Sequence, residues 1–391
     1  MVATNSPEPK KPDANTPELS PEEHAKQELE DMNLGEKPRP KNLQPVLRII
    51  PKTCYDNPTW KGLAYAARDY VVYFGIIGAI AMTDQWYYLL PLWFLSGLII
   101  SGLFIVGHDA GHQSLFKSKK LNDIVGKICM LPGFHVYEGW CYGHNRVHHG
   151  HTVRQGFDFV WHPYTVDDYQ KLSPFNKFMH KIEWSWFGSG MYYARHIWWH
   201  KMMDRNDQPP KWKDAIVRDI NWVWGFILVS SAIGGTWGWF HYADAFASAP
   251  LLGSILGAIW VPIKTVFIPA FAFMYVIGFA VYVHHISPEI KWWPRRDWNK
   301  FKGQMEGTTI IKLGWGWDFF FHSIFTHVPH HVDMRIPFYH LDDAADAIMA
   351  EFPEVVRSQD FSMSEYFRCA KQCKVYDFEK QEWLRYDQIA A

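Results

Sequence analysis

Long stretches without charged residues alternate with polar stretches along this chain. Residues 70–82 carry no charge, and after a short break at 83–86 residues 87–107 are also uncharged. An α-helix rises about 1.5 Å per residue, so roughly 20 residues cross the hydrocarbon core of a bilayer. These two stretches therefore predict a helical hairpin that spans a membrane. The alternative is a pair of buried helices in a large soluble protein.

Two further apolar stretches follow a long polar region. Residues 221–243 and 265–283 each predict a spanning helix. The segment between them, residues 245–263, is uncharged as well, but it contains Pro250 and glycines that could interrupt a helix. The pattern leaves this segment open, either as a third span or as a non-spanning excursion on the far side of the membrane.

The distribution of Lys and Arg indicates the orientation. The segments 83–86 and 244–263 contain neither residue, whereas the N-terminal region, residues 108–220 and the C-terminal region hold nearly all of them. Because cytosolic segments are enriched in Lys and Arg, these three regions are expected in the cytosol. That placement requires an even number of spans between residues 220 and 284. We expect two, which gives four spans in total.

Composition divides the chain into three parts. Residues 1–41 are polar, hold seven of the 24 prolines and lack the apolar region of a cleavable signal peptide, so they predict a disordered cytosolic tail. Residues 42–345 are expected to form a membrane domain and residues 346–391 a cytosolic C-terminal extension. A formal net charge of −1 argues against nucleic-acid binding, and five cysteines form no disulfide framework in a chain of this size.

Eight of the 20 histidines fall in three short boxes. Residues three or four apart share a helix face, so each box can direct several imidazoles at one point. Imidazole nitrogen suits iron, zinc or copper, and eight rings exceed the four ligands of one zinc, so two metal ions are expected. One such box alone is often a surface or capping pair, but the three together predict a metal centre. The boxes are His108-Asp-Ala-Gly-His112, His144-Asn-Arg-Val-His148-His149 and His327-Val-Pro-His330-His331.

The residues around the boxes exclude two other kinds of metalloenzyme. Zinc metalloproteases of the H-E-x-x-H type use the Glu as a general base, but here Asp109 follows His108. The Glu-x-x-His pairs of soluble di-iron bundles are also absent from the sequence.

The three boxes resemble those of the membrane-bound fatty acid desaturases, most closely the acyl-lipid Δ12/ω6 (oleate) branch and its ω3 relatives. HDAGH, GHNRVHHGHT and HVPHH match the patterns of that branch, as does the segment Ile336-Pro-Phe-Tyr339 after the third box. The likeness runs from about residue 60 to 345. It implies an all-α integral membrane protein in which four transmembrane helices carry a cytosolic helical cap with a histidine-rich di-iron site.

The resemblance also implies a set of iron ligands. One histidine at the end of the fourth span is expected to join the boxes; His284 and His285 both stand there, and His285 is favoured. His322 matches a histidine of the branch, although five residues turn a helix by about 500° and take it off the face of His327. His151 has a weaker claim. The implied set is His108, His112, His144, His148, His149, His285, His322, His327, His330 and His331.

By the same resemblance the chain is expected to be an O2-dependent oxidoreductase that inserts a cis double bond into a lipid-linked acyl chain. The expected activity is Δ12/ω6 desaturation, oleate to linoleate, by C–H abstraction at two iron ions with O2 as co-substrate. No His-Pro-Gly-Gly haem-binding segment of a fused cytochrome b5 is present, so a separate electron donor, ferredoxin or cytochrome b5, is expected.

Two further groups of residues are expected to support the site. Carboxylates that accept the second imidazole N–H would orient the rings, and aromatic side chains would line a substrate tunnel. The candidate carboxylates are Asp109, Asp158 and Asp318, and the weaker tunnel candidates are Trp140, Trp184, Trp186, Trp198 and Trp199.

Other functions stay open at this point. An ω3 or Δ9 desaturase and a fatty acyl or alkane hydroxylase share the first abstraction step, although no N-Y-x-E-H-Y segment of the alkane hydroxylases is present. A non-enzymatic membrane metal-binding or transport protein is expected to place charged residues inside its spans. Only Lys264 qualifies, and only if the segment before it spans.

Overall fold

Four long helices organise the computed structural model, which describes residues 39–245 and 248–389. The predicted tail at residues 1–41 lies almost entirely outside the described residues. Helices dominate the described part, and four of them are long and apolar enough to cross a membrane, which confirms the predicted helical class with four candidate spans. In chain order, the first to fourth long helices are Thr59–Ala81, Trp86–Gly111, Lys213–His241 and Pro250–His285.

The fourth long helix extends further than the hydropathy pattern indicates. Its 36 residues correspond to about 54 Å, against roughly 30 Å for a bilayer core. The open segment 245–263 enters this helix from Pro250 onward, and the helix continues through a π-helical stretch at Ile263–Phe267. Pro250 lies in the first turn of the helix. Backbone N–H groups in a first turn have no acceptor within the helix, so a proline there costs no hydrogen bond.

Two glycines of this hairpin lie where its helices pack together. Gly238 of the third long helix meets Gly257 of the fourth so closely that a Cβ on either residue would collide with the carbonyl oxygen of the other. Small residues that let two helix backbones approach are typical of packing inside membranes. The glycines therefore serve a helical hairpin and do not interrupt it.

One buried lysine ties the long helices together at the ends away from the histidine boxes. Lys264 is fully buried, and its ammonium donates to the carbonyl oxygens of Ala81 at 3.0 Å and Thr83 at 2.9 Å and to the carboxylate of Asp84 at 2.9 Å. Carbonyl groups at a helix C-terminus lack intrahelical donors, so the ammonium satisfies them while Asp84 balances its charge. Trp93 of the second long helix donates its indole N–H to the carbonyl of Lys264 at 2.9 Å. These contacts give Lys264 a structural role.

The remaining elements after the second long helix form a cap, defined here as residues 112–212 and 286–389. The α-helices of the cap are short. Outside the cap, the four-residue helix Gln44–Leu47 precedes the first long helix. The α-helices of the cap are Lys119–Met130, Tyr137–Trp140, His149–His151, Val166–Gln170, Pro174–Glu183, Ser189–Tyr192, Asp318–Phe321, His327–Val332, Leu341–Glu351 and Met363–Gln372.

Less regular helices connect these elements. Three of the four described π-helices lie in the cap: Cys141–His148, Tyr193–Met203 and Lys302–Glu306. The described 3-10 helices are Lys52–Tyr55, Leu131–Gly133, Ala243–Ala245, Phe338–His340 and Tyr386–Gln388.

Two small sheets complete the cap. Ile310–Lys312 pairs in parallel with Ser358–Asp360, and Val375–Asp377 pairs antiparallel with Glu382–Leu384. Tyr376 in the second sheet is fully buried, and its hydroxyl accepts the N–H of Trp292 at 3.0 Å. The end of the chain therefore packs into the cap, while the domain boundary at residue 345 stays a prediction.

A buried aromatic cluster joins the cap to the fourth long helix. The ring of Trp161 stacks on Tyr192 with centroids 3.8 Å apart and meets the edge of Tyr282, from the fourth long helix, at 4.7 Å. Burial of such large rings contributes much of the packing energy of a core. The cap is thereby held at the ends of the long helices that carry His108 and His285.

Candidate metal centre

Seven histidines gather in two groups within the described part of the chain. In each group, one nitrogen of every ring lies within 4.8 Å of the corresponding nitrogen of each other ring. The first group is His108, His112, His144 and His330, and the second group is His148, His285 and His331.

Two more box histidines lie between or beside these groups. The Nε2 atom of His149 is 3.0 Å from the Nε2 atoms of both His144 and His330, and its ring stacks on His331 with centroids 4.3 Å apart. The ring centroid of His327 is 5.0 Å from that of His330 and 4.7 Å from that of His331. All eight box histidines are thus brought to one place.

A π-helical turn decides how the second box is divided. An α-helical box would place His144 and His148 on one face, but Cys141–His148 is a π-helix, in which hydrogen bonds run to the fifth residue. On an α-helix His144 and His149 would point about 140° apart. In this structure the rings of His144 and His149 are in contact, and the ring of His148 faces His285 and His331.

The fourth long helix ends at the two histidines that compete for a place at the site. His285 belongs to the second group, and its Nδ1 donates to the carbonyl oxygen of Gly307 at 3.0 Å. The ring of His284 stacks on His327 with centroids 3.9 Å apart, and neither of its nitrogens has a hydrogen-bond partner among the described residues. His285 therefore contributes a nitrogen to the second group, whereas His284 belongs to neither group and packs beside His327.

His322 is not brought to either group. The helix Asp318–Phe321 ends just before it, and a left-handed backbone (φ 45°) directs its ring towards the first long helix. There His322 Nε2 lies 2.7 Å from the carboxylate of Asp69, and both side chains are fully buried. Gly102 leaves room for this pair, since a Cβ there would lie 3.1 Å from the Asp69 oxygen.

His151 also lies apart from the groups. Its Nδ1 is 3.1 Å from a guanidinium nitrogen of Arg154, and its ring packs on Phe157. This position does not support His151 as an iron ligand.

Hydrogen bonds at Nδ1 orient several of the rings. His108 donates to Asp109 at 2.9 Å, and His148 donates to Asp158 at 3.0 Å. A carboxylate only accepts, so Nδ1 of these rings carries the proton and Nε2 presents its lone pair to the group. Two of the three predicted carboxylates thus contact site histidines, whereas Asp318 accepts the backbone N–H of Ser323.

The properties of the rings fit metal binding. Burial and, after it, the neighbouring imidazoles lower the pKa of His144, His149, His330 and His331, so these rings are neutral and able to donate a lone pair. Both nitrogens of His112 and the Nε2 of His331 have no hydrogen-bond partner among the described residues. Buried polar atoms are rarely left unsatisfied, and a cation in each group would supply a partner for one nitrogen of each ring. All-nitrogen ligand sets of this kind suit iron, zinc or copper.

An apolar cavity runs beside both groups. The empty space along it, part of which is open to solvent, amounts to about 770 Å3, and its wall includes His108 and His144 of the first group and His148 and His285 of the second. Hydrophobic side chains from the second long helix, the fourth long helix and the cap form most of the remainder, among them Phe104, Ile105, Trp140, Phe159, Ile277 and Ala280. A hydrocarbon chain is the ligand that this lining suits.

A family model described as fatty acid desaturase matches residues 84–362. The chain belongs to the fatty acid desaturase family. This confirms the resemblance carried by the histidine boxes, and the protein is an oxidoreductase of that family.

Curated relatives of this desaturase are similar along most of their length. It is 26% identical over 341 residues to the sn-1 oleoyl-lipid 12-desaturase of Picosynechococcus sp., covering 86% of this chain and 90% of the relative. It is 27% identical over 369 residues to a chloroplastic omega-6 fatty acid desaturase of Glycine max, covering 92% and 80%. Identity is also 27% over 326 residues to the sn-1 acyl-lipid omega-3 desaturase (ferredoxin) of Nostoc sp., covering 79% and 80%.

Most of the tryptophans proposed for the tunnel lie elsewhere in this desaturase. Trp140 lines the apolar cavity and stacks on His144 with ring centroids 4.3 Å apart. Trp186 and Trp199 are exposed, and Trp198 donates its indole N–H to the carbonyl of Phe134. Trp184 borders a different, polar cavity.

Gln304 contacts two of the site histidines, although no sequence motif identifies it. Its side-chain oxygen accepts the Nδ1–H of His331 at 2.8 Å, and its amide nitrogen donates to the carbonyl of His149 at 2.7 Å. It lies on the π-helix Lys302–Glu306 and is buried. No motif surrounds it, so only the folded structure connects it to the histidines.

Proposed function

We propose that this desaturase inserts a cis double bond at the Δ12/ω6 position of an oleoyl chain carried by a membrane lipid. The observation that supports this most directly is the apolar cavity, whose wall contains histidines of both groups. A chain lying in it would present its carbon–hydrogen bonds beside His108 and His148. The position Δ12 rests on the relatives, two of which are named 12- and omega-6 desaturases.

We assign two iron ions to the histidine groups. The first would be held by His108, His112, His144 and His330, with His149 beside them, and the second by His148, His285 and His331, with His327 beside them. When bound, two irons share the electrons that cleave O2 and supply the oxidising power to remove hydrogen from an unactivated C–H bond. His322 falls outside this assignment because its ring is paired with Asp69.

The protein's own residues position the reactants. The hydrophobic lining would exclude water and contact the acyl chain. Asp109 and Asp158 fix the tautomers of His108 and His148, so that the lone pairs of both rings point inward. No general base is required, since a C–H bond of an alkyl chain is not acidic.

We infer that the histidine groups lie on the cytosolic side and receive electrons from a separate protein. The orientation rests on the Lys and Arg of the cap and their absence from residues 83–86. The donor would be ferredoxin or cytochrome b5, and one relative carries ferredoxin in its name.

Expression in a yeast that makes oleate and no linoleate tests the proposal. Gas chromatography of fatty acid methyl esters should show linoleate when the protein and a suitable donor are present. A hydroxy acid, or an unchanged fatty acid profile despite adequate protein and donor, would contradict the Δ12 assignment. An inactive variant, His148→Ala, is the matched control for host activity.

Omega-3 desaturation is the second candidate. It is favoured by the omega-3 relative, whose identity to this chain is as high as that of the omega-6 relative. Supplying linoleate to the same yeast separates the two activities. An omega-3 enzyme converts it to linolenate, whereas a Δ12 enzyme leaves it unchanged.

A further inference from the structure

Cations cluster on one segment of the cap, next to the loop that follows the second histidine box. Residues 291–302 contain five Lys or Arg and a single carboxylate, Asp297, although the whole chain is nearly neutral. Arg154 joins them, because its backbone pairs with Trp293 in an isolated β-bridge and its guanidinium lies 5.0 Å from the ring centroid of Trp298. These six cations are called the basic surface: Arg154, Lys291, Arg295, Arg296, Lys300 and Lys302.

Aromatic rings lie against the cations of the basic surface. The ammonium of Lys302 is 3.8 Å from the ring centroid of Trp293, and the guanidinium groups of Arg154 and Arg295 are each 4.4 Å from that of Phe157. Such contacts hold charged groups in place. No large apolar side chain of this segment is exposed, whereas a surface that enters a bilayer presents apolar side chains. An acidic protein is therefore the partner that the basic surface suits.

Two short connections join the basic surface to the site histidines. The ammonium of Lys300 donates to the carbonyl oxygen of His149 at 3.2 Å. The indole N–H of Trp298 donates to the carbonyl oxygen of Thr152 at 2.9 Å, and the hydroxyl oxygen of Thr152 lies 3.2 Å from Nδ1 of His331. Only Thr152 therefore separates the ring of Trp298 from a ring of the second histidine group.

Surrounding contacts fix Thr152 in this position. It is fully buried, and its hydroxyl donates to the carbonyl oxygen of His148 at 2.8 Å. The next residue, Val153, has a left-handed backbone (φ 51°), which is rare for a β-branched residue. Its N–H donates to Asp158 at 2.9 Å, and its carbonyl accepts from Trp293 at 2.9 Å. A strained conformation persists only where neighbouring contacts impose it, so the connection through Thr152 has a defined geometry.

We propose that the basic surface docks a ferredoxin, a small acidic one-electron carrier, and that Trp298 and Thr152 connect the docked protein with the second histidine group. The proposal rests on the proposed separate electron donor. Of the two donors considered, ferredoxin has no membrane anchor, which fits a surface without exposed apolar side chains.

The balance of the reaction defines what the donor supplies. Forming one double bond removes two hydrogen atoms from the acyl chain, and reducing O2 to two molecules of water takes up two further electrons and two protons. Two ferredoxins each give up one electron in turn, and the protons come from solvent. Trp298 and Thr152 undergo no net redox change. They provide covalent and hydrogen bonds, across which an electron transfers more readily than across empty space.

Binding of a plant-type [2Fe–2S] ferredoxin to the purified full-length protein in detergent tests the docking surface without turnover. Affinity measured by isothermal titration should fall as salt is added, because exposed charges are screened. Replacing Arg295 and Arg296 together by Gln should weaken binding about tenfold, the loss expected from two exposed ion pairs. The control replaces Lys119 and Lys120 by Gln, which removes the same charge from another part of the cap and should leave the affinity unchanged.

Three results of these titrations would overturn the docking surface. Unchanged affinity in the arginine variant would leave the basic surface without a role in docking. An equal loss in the lysine control would reduce the effect to net charge. Tighter binding of the soluble domain of cytochrome b5 than of ferredoxin would contradict the class of donor.

Trp298→Phe tests the connection to the histidines. Phenylalanine keeps a ring beside Arg154 but has no N–H for the carbonyl of Thr152. We expect ferredoxin affinity to stay unchanged, while the iron-containing protein oxidises saturating reduced ferredoxin several-fold more slowly in the presence of oleoyl lipid and O2, as measured by stopped-flow absorbance. Trp293→Phe is the matched control, because the indole N–H of Trp293 has no hydrogen-bond partner among the described residues. An unchanged rate in Trp298→Phe, or an equal fall in the control, would overturn the connection.

The proposed function and the docking surface fail in different ways. Linoleate formation with ferredoxin as donor, together with full ferredoxin affinity in the arginine variant, overturns the docking surface alone. Ferredoxin binding that depends on Arg295 and Arg296, without linoleate formation, overturns the Δ12 assignment alone.

Discussion

The Nε2 atoms of His144 and His149 lie 3.0 Å apart, although five residues separate them in the chain. The π-helical turn between them brings both rings to the first histidine group and leaves His148 to the second. The geometry of both groups therefore depends on one local departure from α-helical periodicity.

Replacing His149 by Ala should remove one of the rings that surround the first group. We expect fewer than two irons per chain and a loss of desaturation of at least about 100-fold, since even residues that only orient ligands contribute about 10–100-fold. Plasma mass spectrometry of the purified protein measures the iron, and fatty acid methyl esters measure the activity. His151→Ala, two residues away and outside both groups, is the control and should keep both properties. Normal turnover with two irons in His149→Ala would remove this residue from the site.

Replacing Asp158 by Asn should disturb His148 without removing it. The carboxylate accepts from His148 Nδ1 and from the backbone N–H groups of Val153 and Val160, and an amide cannot accept at both positions. We expect iron affinity or activity to fall about 10–100-fold. Iron titration of the chelator-treated protein measures the affinity, and fatty acid methyl esters measure the activity. Asp167→Asn, on the exposed surface of the cap, should change neither. An unaltered affinity in Asp158→Asn would show that the carboxylate does not orient the ring.

The pair His322–Asp69 should act on stability and not on iron content. His322→Leu leaves one buried oxygen of Asp69 without its donor, which costs about 1–3 kcal/mol of the free energy of unfolding. Arg68, which donates to the other oxygen at 2.7 Å and 2.9 Å, limits the loss. Thermal unfolding in detergent measures the effect, and the purified variant should still contain two irons. A variant with one iron would restore His322 to the ligand set.

Replacing Lys264 by Met should loosen the long helices far from the site. Met leaves the carbonyl oxygens of Ala81 and Thr83 without their donor, whereas the carboxylate of Asp84, 46% exposed, can be hydrated, so we expect a loss of about 1–3 kcal/mol of the free energy of unfolding. Since Asp84 is the partner, the double variant with Asp84→Asn should lose less than the sum of the two single variants, which thermal unfolding can measure. The exposed Lys380→Met serves as the control. Additive losses would mean that Lys264 and Asp84 do not depend on each other.

Much of this architecture could be predicted from the sequence. Uncharged stretches located all four long helices, and the spacing of the boxes located the eight histidines that meet. Both signals are local, because hydrophobicity and residue spacing need no knowledge of the partners in space.

What the sequence did not reveal depends on contacts between distant segments. Residues 250–262 are helical, and Gly257 among them packs on Gly238 of the third long helix, a contact that the local pattern does not reveal. The contact of Gln304 with His331 joins two parts of the cap that no motif connects. His322 matches a family position, yet a single left-handed residue at the end of a short helix turns it towards Asp69.

The division of neighbouring histidines between the two groups has a consequence for how the site assembles. His148 and His149 are consecutive, as are His330 and His331, and in each pair the two rings serve different groups or their border. A shift of either short backbone segment therefore displaces donors to both positions at once. If each group holds an ion, as proposed, we expect loading and loss of the two ions to be cooperative, so that a half-filled centre is sparsely populated.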